Sequence, residues 1–154
     1  MSEDRSQRGQ AYDQAIERAF KTVLRKESSI TRRKARTAPL IDDLVAGRRA
    51  WEGLTTRELR SLQGLPLVEL YLKESQASRH HDPPGQVAAA RLARAAAHRL
   101  DSRVYGPQVV ADTRARAWAE LANAYRSNDE LDRAEQVMKR ALHYLERGSG
   151  DPAL

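Results

Sequence analysis

Two apolar stripes at helical spacing, separated by a four-residue polar break, constrain this chain more than any other feature. Trp118, Leu121, Ala122 and Tyr125 fall at i, i+3, i+4 and i+7, so they share one helix face. Arg126-Ser127-Asn128-Asp129 interrupts the pattern. Leu131, Ala134, Val137, Met138, Ala141, Leu142 and Leu145 then make a second stripe. A connection this short makes the two helices antiparallel neighbours. The alanines in both stripes let the two backbones approach closely.

The order of residue types is specific. Trp118, Leu121, Ala122 and Tyr125, followed by Ala134, Met138 and Ala141, resemble the repeat slots of a tetratricopeptide repeat (TPR). The resemblance implies that these seven residues form a structural repeat core, with the aromatics between the paired helices. It also implies that the function lies in contact with other proteins. The binding surface of such arrays is the concave face made by first helices. On this chain that face would offer Arg114, Glu120, Asn123 and Asn128, with solvated polar surface as the plainer reading of the same residues.

Helical signals run through the remainder. Residues 1–9 are polar and expected to fray as a flexible N-terminus. From Gln10, the residues Tyr12, Ala15, Ile16, Ala19, Phe20, Val23 and Leu24 form an apolar face that continues toward Ile30, with room for a kink or stop at Ser28-Ser29. Pro39 suits the first turn of a short helix carrying Leu40, Ile41, Leu44 and Val45 and closed by Gly47. Thr55 and Glu58 have capping-box spacing. Gly64 ends the short helix that follows, and Pro66 opens one bearing Leu67, Leu70, Tyr71 and Glu74. Asp82 is the expected N-cap of an Ala-rich helix running from about Gln86 to Leu100 through Val87, Ala88, Leu92, Ala95 and Ala96. Tyr105-Gly106-Pro107 precedes a long helix with Val109, Val110 and Ala117 inward, and Gly148 sits where a left-handed C-terminal residue is expected.

The reading is all-α, with six to seven helices in antiparallel pairs stacked as a short TPR-like α-solenoid. A helical cap with a basic segment spans 10–64, and repeats span 65–148, degenerate over 66–100 and clear over 107–148. Residues 149–154 are a tail. The arrangement also resembles the N-terminal part of larger bacterial TPR-array proteins. The cues are Tyr12, the Trp51 region, Leu70 to Ser75, Asp82-Pro83, Arg99-Leu100, Arg114 to Trp118 and Gly150-Asp151-Pro152. Such proteins continue where this chain stops at Leu154, which fits either a small protein or a fragment.

Composition narrows the function. The chain has no cysteine, so disulfides, thiolate metal sites and thiol catalysis are excluded, in keeping with a cytoplasmic setting. Mean hydropathy is −0.72, and no apolar run approaches the roughly 20 residues a membrane span requires. No phosphate loop or Ser–His–Asp order is present. Leu54 to Leu59 resembles the opening of a helix-turn-helix, but Pro66 stands where that motif needs helix. His80 and His81 diverge on a loop, whereas His98 and His143 lie singly on helices at the surface or its boundary. No enzyme, metal or cofactor is expected.

The net charge of +6 is concentrated toward the N-terminus. Residues 1–60 hold 14 Lys and Arg against 9 Asp and Glu. A candidate basic patch comprises Arg25, Lys26, Arg32, Arg33, Lys34 and Arg36, read either as a solvated face or as an attractor of phosphates. The expected function is a non-enzymatic adaptor, scaffold or regulatory module, with a protein or peptide partner and with self-association allowed. Nucleic-acid binding through the basic segment is the competing expectation, and no membrane partner is expected.

Overall fold

The structure, a computed structural model, describes the backbone of residues 2–150 and the side chains of residues 14–150. The expected contribution of Tyr12 and the tail 151–154 lie outside the described residues. The described elements are helical throughout: α1 (Ser2–Val45), a 3-10 turn at Trp51–Gly53, α2 (Thr56–Ser61), α3 (Leu65–Ser78), α4 (Pro83–His98), α5 (Ser102–Tyr105), α6 (Pro107–Ser127) and α7 (Leu131–Leu145). The chain divides into two compact units, Met1–Arg33 and Lys34–Leu154.

The helix starts follow local chemistry. At α2 the Thr55 hydroxyl accepts from the Glu58 amide at 3.3 Å while Glu58 accepts from the Thr55 amide at 2.9 Å, completing the capping box. Arg49 then adds a 2.6 Å ion pair to Glu58, and these donors hold its carboxyl down at about 2. Asp82 caps α4 by accepting from the Gly85 amide at 3.0 Å. Proline occupies the first turn of α3, α4 and α6, where its missing N–H costs nothing. Asp101 caps α5, a single turn that sequence periodicity was too short to register.

Several expectations are corrected. Pro39 lies inside α1 rather than in the first turn of a separate helix, and of the two readings left open at Ser28 and Ser29 the helix takes the continuous one. An interior proline costs about 3 kcal/mol. Ile41 and Leu44, 3% and 8% exposed, each return about 1.5–3 kcal/mol on burial, so the helix continues to bury them. α1 also begins at Ser2, eight residues before the expected start. Gly148 lies outside the left-handed region; its hydrogen-sized side chain is needed because a Cβ there would overlap the Asp112 carboxylate, which accepts from the Ser149 amide at 2.9 Å.

In the second unit, consecutive helices pack in order. α3 packs on α4, α4 on α6 and α6 on α7, with a smaller α3–α6 contact, consistent with a solenoid-like stack of helix pairs. One cluster joins Val68, Leu72, Ala93, Ala97, Leu100, Val110 and Ala117. A second joins Val87, Ala90, Leu121, Ala124 and Tyr125, with Trp118, Ala134 and Val137 against it. A third, on the other side of α3, joins Ile41, Leu44, Leu62 and Leu70. α3 is therefore buried on two sides, through Val68 and Leu72 as well as the expected Leu70. On α4, Val87 is buried and Ala96 packs against the first cluster. Ala89, Ala90, Ala93 and Ala97 are buried, whereas Ala88, Leu92 and Ala95 are exposed. Seven alanines in one helix give no contrast by which to find the inner face.

Candidate functional site

One edge of α7 carries three exposed large apolar side chains. Leu131, Met138 and Leu142 are 63%, 41% and 52% exposed, at spacings of seven and four that keep them on one side. The adjoining flank of the same stripe supplies buried Ala141 and partly buried Ala134 and Val137, which seat α7 on α6. This corrects the expectation that Met138 belongs to the repeat core. Leu121, Ala122, Tyr125 and Ala141 are buried, and Trp118 and Ala134 are partly covered.

Next to α7 is a cluster of rings and guanidinium groups. The Trp118 indole N–H donates to His98 Nε2 at 3.1 Å, and the His98 ring stands edge-on to both Trp118 and Tyr144 at 5.8 Å. Arg94 lies 5.2 Å from the Trp118 ring centre and Arg114 lies 5.8 Å from that of Tyr144. Tyr125 has Arg91 at 5.7 Å and Arg133 at 5.9 Å. Each such contact contributes about 0.5–1 kcal/mol at an exposed site. Desolvation first, then the charges of Arg114 and Arg94, push the His98 imidazole below its usual value. His98, expected with His143 at the surface or its boundary, is exposed and joins α4, α6 and α7 there.

The four polar residues expected on a concave face are engaged within the fold. Arg114 donates to the Ala97 carbonyl at 3.4 Å and the His98 carbonyl at 3.2 Å, closing the C-terminus of α4. Glu120 is buried; it accepts from the Ser75 hydroxyl at 2.7 Å and lies 3.7 Å from Arg79. Asn123 accepts from Arg126 at 2.9 Å, and Asn128 donates to the Pro83 carbonyl at 3.2 Å. Sequence spacing missed this seam because a polar residue's partner on another helix leaves no periodic trace. Gln86, fully buried on α4, has neither amide atom hydrogen-bonded.

All six residues of the basic patch lie on α1. Arg25, Lys26, Arg32, Lys34 and Arg36 are exposed and Arg33 is half-exposed. Arg32 Nε donates to the Ser28 carbonyl at 3.2 Å, and Lys34 lies 4.0 Å from Glu69. Glu69 also receives Arg116 at 2.7 Å, which ties α6 to α3.

No group of three or more His, Cys, Asp or Glu among the described residues is placed to hold a metal ion. None of the described helices is long and apolar enough to cross a membrane. No protein-family model matches this chain, and no curated protein or solved structure matches it.

Proposed function

We propose that this chain is a non-enzymatic protein–protein interaction module, an adaptor or scaffold, built on TPR-like helix pairs. The carrying observation is the open edge of α7, where Leu131, Met138 and Leu142 present apolar surface on a helix whose adjoining flank is already seated. Contiguous exposed apolar side chains rimmed by charge mark interaction surfaces. Glu135, Lys139 and Asp132, all exposed, border the α7 edge on one side. Because Glu120, Asn128 and Arg114 are spent on internal contacts, the partner surface moves from the concave side to α7.

The test is affinity capture with the full chain as bait, beside a Met138→Glu/Leu142→Glu variant whose thermal unfolding is first matched to the wild type. Proteins retained by the wild type and lost by the variant support the reading. Equal retention by both, or none by either, sinks it.

Nucleic-acid binding is the second reading. Residues 28–41 of α1 contain Arg32, Arg33, Lys34 and Arg36 and no acidic residue. Retention on duplex DNA that falls steeply with salt, and is lost when Arg32, Arg33 and Lys34 are neutralised, would favour it.

A further inference from the structure

We propose that the first unit pairs with the same segment of a second copy of this chain, antiparallel, through Ile16, Phe20 and Val23. This interface is separate from α7 and stands or falls without it. Every side chain from Gln14 to Ser29 is exposed. Four of them are large and apolar: Ile16 at 52%, Phe20 at 64%, Val23 at 52% and Leu24 at 46%. In proteins most helical stability comes from packing of an amphipathic face rather than from intrinsic propensity. Thr22, Ser28, Ser29 and Thr31 lower that propensity in α1. An apolar stripe along such a helix is stabilised by a partner.

The spacing specifies the kind of partner. Ile16, Phe20, Val23, Glu27 and Ile30 are separated by four, three, four and three residues, the seam of a two-stranded coiled coil. In the same frame Lys34, Thr37, Ile41 and Leu44 follow, and Thr37, Ile41 and Leu44 are buried in the second unit. The frame therefore marks a packing face along α1, covered in one stretch and bare in the other.

Charge then selects a second copy and its direction. Residues 2–17 carry Glu3, Asp4, Asp13 and Glu17 against Arg5 and Arg8. Residues 18–36 carry Arg18, Lys21, Arg25, Lys26, Arg32, Arg33, Lys34 and Arg36 against Glu27 alone. Two parallel copies would set the basic halves side by side. With Phe20 facing Val23 and Ile16 facing Glu27, two antiparallel copies set Lys26, Arg32, Arg33, Lys34 and Arg36 beside the partner's stretch 7–17, which holds Asp13 and Glu17 against Arg8, while Arg18 faces Arg25. Glu27 is then the polar seam residue that fixes register at some loss of stability.

Sedimentation of the full chain across a wide concentration range should show a monomer–dimer equilibrium that weakens with added salt. Phe20→Glu with Val23→Glu should shift it to monomer while the tryptophan-monitored unfolding of the second unit is kept. The natural absence of cysteine allows a direct test of direction. A mixture of Ile16→Cys and Glu27→Cys chains should form a mixed disulfide under mild oxidation, and neither chain should cross-link with itself. A monomer at all concentrations, a dimer indifferent to the Phe20 and Val23 changes, or Glu27→Cys self-cross-linking would each overturn the proposal. So would a monomer that floats with vesicles containing phosphatidylglycerol, since α1 would then be a membrane-surface helix.

Discussion

Glu120 accepts from the Ser75 hydroxyl and lies beside Arg79, so one buried carboxylate joins α6 to α3. Glu120→Ala should destabilise the chain by about 1.5–3 kcal/mol in urea unfolding, and Glu120→Gln by less, because the amide oxygen still accepts. Gln86 has the opposite character: both of its amide atoms are buried without a partner. Gln86→Met keeps the length and removes the unpaired groups, so the melting temperature should rise. His98 carries a pH dependence. Its imidazole is held below its usual value by burial and by Arg114 and Arg94, so near neutrality it is uncharged in both folded and unfolded chains. As pH falls below 6.5 the unfolded chain takes up a proton first, and stability drops until the folded imidazole protonates as well. Melting curves between pH 7.5 and pH 5 should show this loss, reduced in His98→Gln. Such roles are invisible along the chain, because Ser75, Glu120, His98 and Trp118 meet only across helices.

At the scale of elements, the capping residues carry the most predictable energetics. Asp82→Ala removes the acceptor for the Gly85 amide and should cost about 0.5–2 kcal/mol, measured by thermal or urea unfolding. Gly64 precedes α3 with φ of +77°, and a Cβ there would overlap the Tyr105 hydroxyl. Gly64→Ala combines backbone strain with that overlap and should cost about 1–3 kcal/mol, with α5 displaced from α3. The starts of α2, α3, α4 and α6 were legible from Thr55, Pro66, Asp82 and Pro107, since a cap is a contact within three residues. The inward side of α4 was not, because alanine faces every direction along it. The continuity of α1 through Pro39 was not legible either, because what outweighs the proline is burial of Ile41 and Leu44 against residues distant in sequence.

The whole molecule is two units with different requirements. Lys34–Leu154 carries all three hydrophobic clusters, so a chain beginning at Lys34 should unfold in one cooperative transition, followed by circular dichroism and tryptophan fluorescence. Loss of cooperativity on removing 1–33 would contradict that division. Within the second unit, α6 contacts α3, α4, α5 and α7, which is why it buries residues around its circumference, Asp112, Thr113 and Glu120 included. α7 has one covered flank and one open edge, the asymmetry on which the interaction surface rests.

Sequence alone determined the all-helical class, most helix starts and the α6–α7 hairpin, because periodicity and caps act over three or four residues and are written in consecutive positions. Tertiary structure decided which helix faces are closed. It placed Met138 outside the core, turned Glu120, Arg114 and Asn128 into internal braces, and carried α1 through Pro39. Burial is a relation between segments far apart in the chain, so the same stripe reads as core or as free surface until its neighbour is in place.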